Sequence, residues 1–296
     1  MDRALPTPGS PMVSILCITY NQAAFIERTL DSFLAQRTDF DVEIVVSDDC
    51  STDETRRIVE QYASRAGARI QVLSSPVNLG VTRNFRRAMQ ACRGKYIALC
   101  EGDDFWRGHT KLQTQVDFME AYPGVAISYH NATIVDAEGE HDTPQLPAKL
   151  RCDASSAELI ATRPISTLTA CFRNVLGELP PELDHAPALD LCLWSLLGQH
   201  GSGKYLPEIA PAGYRIHAGG VFSAQTDRNR HAMTAQSLLC LARVYARQGQ
   251  QAASNAVLFK AARMAGVPLG LMASLRLLGL TIMRLLGRVF SLGLRR

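Results

Sequence analysis

The segment YIALCEGDD, residues 96–104, joins a short apolar run directly to a cluster of acids. Its first five residues are apolar on both faces, a pattern typical of a central strand in a parallel sheet. Two other apolar runs also end at polar residues. VSILCI at 13–18 is followed by TYN, and VEIVV at 42–46 is followed by SDD. Three predicted strands therefore end in polar or acidic residues.

Helical patterns alternate with these runs along the first half of the chain. The predicted helices there cover residues 24–36, 82–92 and 111–121, and two further predicted strands cover 70–73 and 125–129. Strands that alternate with helices at this spacing predict an α/β fold with a mostly parallel sheet flanked by helices. Sheets of this kind bind ligands beyond the carboxyl ends of their strands, which is where the polar clusters fall.

The second half of the chain has a different character. Residues 136–147 are polar and predict a loop. The predicted helices of this half cover residues 155–161, 189–199, 233–248 and 252–265. Because only Gly249 and its neighbours separate the last two, they predict a helical hairpin. We therefore predict three parts: an α/β domain over 1–224, a C-terminal helical extension over 225–266 and a basic tail over 267–296.

Composition and charge narrow the class of protein. The chain has 296 residues and a formal net charge of +3, which gives no electrostatic case for binding nucleic acid. Its eight cysteines have no CxxC or zinc-finger spacing, so they predict reduced thiols of a cytosolic protein. No stretch reaches the roughly 20 uncharged apolar residues of a spanning helix. We expect a cytoplasmic protein, either free or peripheral on the cytoplasmic face of the inner membrane.

The acidic clusters suggest ligand chemistry. Asp103 and Asp104 follow an apolar strand directly, where two carboxylates are costly unless a positive charge neutralises them. A divalent cation does this, taking oxygen ligands from carboxylates and from substrate phosphates. Asp48 and Asp49 end a neighbouring strand and have the acceptors for a base N–H or a ribose hydroxyl. The alternative is that these acids are solvated turn residues or helix caps.

Two phosphate-binding motifs are absent from the sequence. It contains no GxxxxGK(S/T), and no GxGxxG follows the first strand. Their absence argues against a P-loop kinase and against a dinucleotide-dependent dehydrogenase.

Four segments resemble the family 2 glycosyltransferases in order and spacing. They are VSILCITYNQAAFIERTLDSFLAQ at 13–36, EIVVSDDCSTDET at 43–55, NLGVTRNFRRAM at 78–89 and GKYIALCEGDDFW at 94–106. The resemblance implies a GT-A fold with a Rossmann-like sheet. It also implies an inverting enzyme that moves a sugar from a nucleotide-diphosphate donor, with UDP favoured, to a hydroxyl of a saccharide or lipid-linked acceptor. The implied setting is the assembly of cell-surface polysaccharide or glycolipid.

The same resemblance implies roles for individual residues. Tyr20 would stack on the base, Asp49 would hydrogen-bond it and Asp103 would approach the ribose. Asp104 would bind a divalent metal, Mn²⁺ or Mg²⁺, that bridges the diphosphate. Glu101 stands where the family usually has Asp, so we do not assign it as a direct ligand. The remaining predicted donor-binding positions are Ile18, Asn21, Asp48 and Arg83.

Two further residues complete the predicted site. Asp190, at the head of the apolar segment LDLCLW, occupies the position that the family reserves for its general base. The alternative is an acid placed there by the helix dipole, and Asp184 is the rival base. His217 in YRIHAGG completes the metal site in some relatives, and imidazole suits Mn²⁺ better than Mg²⁺. The alternative is a structural histidine.

Two other functions compete with glycosyl transfer. A nucleotidyltransferase also uses strand-end acids and a metal, but such enzymes usually hold the triphosphate with a glycine-rich basic loop after the first strand. Here ITYNQAAF follows instead. A catalytically silent protein of the same fold, which binds nucleotide-sugar or a partner without turnover, is the second alternative. Transfer that vanishes on changing Asp190, with nucleotide binding kept, separates an enzyme from a binder.

The tail predicts a helix that lies in a membrane surface. At 100° per residue, Arg276, Arg284, Arg288 and Arg295 fall within about 120° of each other on a helical wheel. The rest of the circumference is mainly aliphatic, an arrangement suited to anionic lipid headgroups. The alternative is a helix packed on protein.

The membrane interpretation predicts that deletion of residues 268–296 abolishes binding to anionic liposomes, because the deletion removes both the basic stripe and the apolar face. Liposome flotation measures the effect, and vesicles of neutral lipid are the control. Undiminished flotation of the truncated chain would favour the packing alternative.

Overall fold

The structure, a computed structural model, describes residues 10–265. Within that range two compact units form. The first contains residues up to 179 together with 193–224, and the second contains residues 180–192 together with those from 225 onwards. The predicted tail over 267–296 lies outside the described residues.

Strands and helices alternate through the first unit. Its strands are β1 (Val13–Thr19), β2 (Val42–Asp48), β3 (Ile70–Ser74), β4 (Tyr96–Leu99), β5 (Val125–Tyr129), β6 (Ala132–Asp136), β7 (Gly139–Pro144), β8 (Cys171–Arg173), β9 (Ser202–Tyr205) and β10 (Ala212–Arg215). The helices of the chain are α1 (Ile26–Leu34), α2 (Thr55–Ala66), α3 (Val81–Ala91), α4 (Lys111–Ala121), α5 (Ser156–Ile160), α6 (Leu189–Leu197), α7 (Asp227–Arg247) and α8 (Gln251–Met264). Of these, α6 begins in the second unit and ends in the first.

The main sheet confirms the predicted α/β fold. Its seven strands run in the order β3-β2-β1-β4-β8-β5-β9. The pairs β3-β2, β2-β1 and β1-β4 are parallel, whereas β8 lies antiparallel between β4 and β5. The central strands are buried on both faces, which is why they read as continuous apolar runs. Because the chain builds outward from β1 to β3 and then returns to place β4 on the other side of β1, the sheet has its switch point between β1 and β4.

The flanking helices cover the sheet with one apolar face each. In α1 the residues Ile26, Leu30 and Phe33 are buried at helical spacing, and Ile26 and Phe33 belong to the same core cluster as Ile15 of β1. In α3 the buried set includes Phe85 and Met89, and this helix packs on β1 and β2. Apolar periodicity thus predicts these helices correctly, to within two residues at each end.

A second, three-stranded sheet corrects the prediction for residues 136–147. The order there is β10-β6-β7, with β6 and β7 antiparallel, so the segment predicted as a loop contains a strand. The sequence of β7, GEHDTP, has no apolar alternation because this strand lies at the sheet edge and none of its residues is buried. Its Glu140 is held by ion pairs to Arg28 and Arg107.

The second unit contains the predicted helical hairpin. Helix α7 begins at Asp227, six residues earlier than its apolar pattern indicates, because Thr226 caps it through the Asn229 amide. The hairpin turns at Gly249, whose φ is +73° and therefore favours glycine. Ser254 of α8 donates a buried hydrogen bond to the Ala242 carbonyl of α7. Among residues 10–265, no helix combines the length and the apolar character that crossing a bilayer requires.

Gly94 allows β4 to begin against β1. The Gly94 amide donates to the Ser14 hydroxyl at 2.8 Å, and that hydroxyl donates to the Glu43 carboxylate at 2.6 Å. A Cβ atom on residue 94 would lie 2.4 Å from the Ser14 amide nitrogen and 2.8 Å from the Val13 carbonyl carbon, which is closer than side chains approach backbone. The entry of β4 into the sheet therefore requires glycine at this position.

We expect Gly94→Ala to lower the free energy of unfolding by about 1–3 kcal/mol, because the added carbon must displace the backbone of β1. Chemical denaturation measures the change. Gly124→Ala is the matched control, since a Cβ there meets no atom within 4 Å. Equal stability of the two variants would contradict the proposed close packing at residue 94.

Candidate active site

The polar ends of β1, β2 and β4 lie side by side, as their order in the sheet requires. In the strand registers, Thr19 of β1 pairs with Asp48 of β2, and Leu16 of β1 pairs with Leu99 of β4. The loops that follow these strands therefore converge at the switch point of the sheet. This edge holds most of the residues that the sequence predicts for donor and metal binding.

Asp48 and Asp49 are both buried, but their surroundings differ. The two carboxylate oxygens of Asp49 accept from the backbone amides of Leu79 and Gly80, at 2.7 and 2.9 Å. The Asp48 carboxylate accepts from the Ser51 amide through one oxygen, and its other oxygen, Oδ1, has no hydrogen-bond partner among the described residues. A buried acceptor without a partner is costly, so Asp48 is better prepared than Asp49 to accept a hydrogen bond from a ligand.

The loops after β1 and β2 are tied to each other. The Asn21 amide donates to the Ser51 hydroxyl at 2.9 Å, and the Asn21 side-chain oxygen accepts from the Thr52 amide at 2.8 Å. Asn21 and Cys50 have φ angles of +51° and +65°, in the left-handed region. Asn tolerates this conformation, whereas for Cys50 it costs roughly 1–2 kcal/mol and persists where the surrounding contacts fix it.

Three other predicted donor-binding residues lie around these loops. Tyr20 is 46% exposed at the end of β1, so its ring is available for stacking. Ile18 is partly exposed in β1, next to Thr19. Arg83 is exposed on α3, and no ion-pair partner for it occurs among residues 10–265. All three lie in the first unit, together with Asp48 and Asp49.

His217 contacts Asp103, and this pairing differs from the one that the sequence predicts. The His217 Nε2 atom lies 2.9 Å from Asp103 Oδ2. Asp104 turns away, because its Oδ1 accepts from the Arg215 amide at 2.7 Å and the residue is 2% exposed. The strand β10 ends at Arg215, two residues before His217. It therefore brings Arg215 and His217 to the loop after β4.

Negative charge is concentrated around Asp104. Burial is the largest cause that raises the pKa of the Asp104 carboxyl well above its usual value, and the neighbouring Asp103 and Glu101 carboxylates add to the shift. Burial, followed by Asp104 and Glu101, also raises the pKa of the Tyr214 hydroxyl. This crowding is the electrostatic setting that a divalent cation relieves.

The residues present fit a cation held by two protein ligands. A carboxylate oxygen and an imidazole nitrogen that already lie 2.9 Å apart are both suitable ligand atoms. No group of three or more potential metal-ligating His, Cys, Asp or Glu side chains occurs within the described part of the chain. A hard divalent cation is often bound by one or two carboxylates plus substrate phosphates. The donor's own phosphates would therefore supply the remaining ligands.

An arginine–aromatic cluster that the sequence patterns do not predict supports the loop after β4. The Arg215 Nε atom donates to the Asp103 carbonyl at 2.7 Å, and its guanidinium lies 4.6 Å from the Phe25 ring centre. The Phe25 ring in turn contacts the His217 ring, with centres 4.7 Å apart. Arg28 stacks on Phe105 at 3.5 Å. The one available signal was the YRIH segment, where an arginine precedes His217 by two residues.

The predicted base candidates lie in the second unit. Asp190 occupies the first turn of α6 and is partly exposed, and its Oδ1 accepts from the Leu191 amide at 2.9 Å. Asp184 lies in a short 3₁₀ turn, Pro181–His185, and is also partly exposed. The choice of Asp190 as general base stays a prediction.

Comparisons with known proteins point to one family. The model of Glycosyl transferase family 2 matches residues 14–175. A protein of Mycobacterium tuberculosis is 38% identical over 223 residues, which cover 74% of this chain and 63% of that protein. This chain thus spans less than two thirds of its mycobacterial relative. The Escherichia coli UDP-Glc:alpha-D-GlcNAc-diphosphoundecaprenol beta-1,3-glucosyltransferase WfaP is 34% identical over 217 residues, 71% of this chain and 79% of WfaP.

Solved structures share the fold. Staphylococcus aureus TarS in complex with UDP-GlcNAc superposes with a TM-score of 0.60 at 20% identity, over 83% of this chain and 70% of TarS. The mannosyltransferase PcManGT from Pyrobaculum calidifontis, in complex with GDP-Man and Mn²⁺, has a TM-score of 0.54 at 19% identity, over 100% of this chain and 84% of PcManGT. The GT-A fold expected from the sequence is thereby confirmed.

The raised pKa of Asp104 has a consequence for stability. The pKa of the Asp104 carboxyl is higher in the folded protein than in the unfolded chain, where it is about 3.9. As the pH rises from about 3.9 through the folded pKa, this group therefore lowers the free energy of unfolding. We expect Asp104→Asn to raise the melting temperature at pH 7.5 in EDTA, because Asn keeps the acceptor for the Arg215 amide and removes the charge. The gain should shrink as the pH falls towards about 4.

Scanning calorimetry across this pH range measures the effect. Asp142→Asn, at an exposed position of β7, is the control and should leave the melting temperature unchanged. A melting temperature that Asp104→Asn lowers at pH 7.5 would mean that the fold stabilises the Asp104 carboxylate.

Proposed function

Because the chain belongs to glycosyl transferase family 2, we propose that it moves a sugar from a nucleotide-diphosphate donor, preferably a UDP-sugar, to a hydroxyl acceptor with inversion. The observation that carries this proposal is the contact between Asp103 and His217 at the carboxyl ends of the parallel strands. A carboxylate and an imidazole held together there could supply two ligands to a metal ion that binds the donor diphosphate.

In this proposal the loops after β1 and β2 bind the nucleoside. Tyr20 stacks on the base with its exposed ring, next to Ile18 and Asn21. Asp48 accepts a base N–H through its buried Oδ1, which has no partner among the described residues. Asp49 acts indirectly, because its oxygens already hold the Leu79–Gly80 turn that leads into α3. We thus assign to Asp48 the base contact that the family resemblance implies for Asp49.

Asp103 and His217 would hold the divalent metal, Mn²⁺ or Mg²⁺, in place of the predicted pair Asp104 and His217. When bound, the metal supplies Lewis-acid neutralisation of the leaving diphosphate. Asp104 then positions the site, since its carboxylate holds the Arg215 amide and thereby the strand that leads to His217. Arg83, exposed on the helix next to the nucleotide loops, is available to contact the donor.

Asp190 is proposed as the general base. Inversion requires a single displacement, in which the acceptor oxygen bonds to the anomeric carbon as the bond to the diphosphate oxygen breaks. The acceptor hydroxyl then gives its proton to a carboxylate, and the nucleoside diphosphate leaves with the bonding electrons. A partly exposed acid in the first turn of α6 suits this role because it can accept a proton and release it to solvent.

The acceptor class is proposed from the relatives. WfaP is named for transfer to GlcNAc-diphosphoundecaprenol, a lipid-linked saccharide. A saccharide or lipid-linked acceptor in cell-surface polysaccharide assembly would suit this chain as well. Membrane contact through the basic tail over 268–296 is consistent with such an acceptor, as is a position on the cytoplasmic face of the membrane.

A thermal-shift panel of UDP, GDP, CMP and dTDP, each with and without Mn²⁺, tests the donor site. We expect one nucleotide, with UDP favoured, to stabilise the protein in a metal-dependent manner, by about 2.7 kcal/mol at 100 times its dissociation constant. Asp103→Asn should remove the metal-dependent part, because it weakens the carboxylate ligand. Asp142→Asn should retain the full shift. No shift with any nucleotide would contradict the proposal.

The second arm of this experiment separates an enzyme from a silent binder. Asp190→Asn should keep the nucleotide shift and reduce donor hydrolysis or transfer by at least about 100-fold, the usual contribution of a general base. Asp184→Asn, the rival acid, is the matched control and should keep turnover. If the protein binds nucleotide but the wild type neither hydrolyses nor transfers, the silent alternative holds.

A further inference from the structure

A narrow cavity opens at the switch point between β1 and β4. Its inner wall is formed by Phe85 of α3 and by Leu99 and Cys100 at the end of β4, all of them buried. Its mouth is formed by Ile18, Glu101 and Thr167, all partly exposed. The empty space in and just outside the cavity is about 170 Å³. We call this cavity the switch-point notch.

The inner wall of the notch has no strongly polar side chain. Phe85 and Leu99 are hydrocarbon, and burial raises the pKa of the Cys100 thiol well above its usual value, which keeps it neutral. The backbone amides of Leu99 and Cys100 are already bonded, to the Ala170 and Leu16 carbonyls at 3.0 and 3.2 Å. A water held in such a space would lack the two to four polar partners that ordered water makes.

The free space that the notch offers is narrow, with room for about one water-sized group. Because hydrocarbon and a neutral thiol line the notch, a methyl group placed there is more favourable than a hydroxyl group. A hydroxyl at the same point would give up hydrogen bonds to water without replacement. The chemistry of the notch therefore selects for a methyl substituent.

The position of the notch indicates which part of a substrate enters it. Glu101 at the mouth lies two residues before Asp103, the proposed ligand of the diphosphate-bound metal. The sugar is joined to the diphosphate, so it is the part of the donor that lies next to the loop after β4. The nucleoside is assigned to the other side of β1, over Tyr20 and Asp48.

We infer that the switch-point notch binds a methyl group carried by the donor sugar, and that the chain prefers a methyl-bearing sugar over its methyl-free counterpart. This inference rests on the proposed function and names the substrate class of the same site. The methyl group can come from an N-acetyl substituent or from C6 of a 6-deoxy sugar. Glu101 and Thr167 at the mouth are then placed to meet the polar groups next to that methyl.

Two matched pairs of donors test the inference by isothermal titration calorimetry on the full chain with Mn²⁺. The N-acyl arm compares UDP-GlcNAc with UDP-N-formylglucosamine, which lacks only the methyl group. The deoxy arm compares UDP-6-deoxygalactose with UDP-galactose. We expect the methyl-bearing donor of one arm to bind at least about fourfold more tightly, as burial of one methyl group implies. The arm that shows the preference identifies the source of the methyl group.

Two variants of Cys100 locate the effect in the notch. Cys100→Val adds a branch that fills the inner end, so it should abolish the preference while UDP alone binds as before. Cys100→Ala removes bulk from the same wall and leaves the space open, so it should weaken the preference without abolishing it. Unchanged discrimination in Cys100→Val, with its fold verified by melting temperature, would place the methyl group elsewhere and overturn the inference.

The binding measurements on the wild-type protein are sufficient to separate failure of this inference from failure of the proposed function. If UDP binds and neither arm shows a preference, the notch inference is wrong and the proposed function remains. If UDP and all four donors fail to bind, the proposed UDP-sugar donor is wrong and the inference falls with it.

Discussion

Buried carboxylates at the ends of parallel strands are the constraint on which this structure depends. Asp48, Asp49 and Asp104 are nearly inaccessible to solvent, and a buried negative charge is costly unless hydrogen bonds or cations compensate it. The compensation comes largely from backbone amides, those of Leu79 and Gly80 for Asp49 and that of Arg215 for Asp104. The loops around the site therefore take the conformations that direct these amides at the carboxylates.

Neighbouring acids consequently have different roles. Asp49 and Asp104 each accept from backbone and hold a segment in place, whereas Asp48 Oδ1 has no partner among the described residues and Asp103 contacts an imidazole. In each pair one acid, Asp49 or Asp104, holds the loop in place. The other, Asp48 or Asp103, has a carboxylate oxygen that can contact a ligand. The cluster of Arg215, Phe25 and Phe105 supplies positive charge and packing close to the second pair. Under the proposed function, structure and recognition are thus divided between adjacent residues.

Sequence patterns predict the part of the fold that burial controls. The central strands and the helices of the first half are apolar with a clear period, and these elements were found to within about two residues. The strand β7 was missed because it is an exposed edge strand stabilised by ion pairs of Glu140. The strand-end acids of the site were also predictable from their position. Which acid meets His217 was not, because that depends on where β10 places its end relative to the loop after β4.

Under the proposed function, the left-handed conformations of Asn21 and Cys50 have a consequence for the kinetics of nucleotide binding. The hydrogen bonds of Asn21 to Ser51 and Thr52 tie the two loops together next to Cys50, so the protein itself holds the shape of these loops. A nucleotide that meets a preformed surface does not wait for a loop to rearrange. Its association rate is then governed by diffusion and orientation, and differences in affinity between nucleotides arise mainly from how long each remains bound.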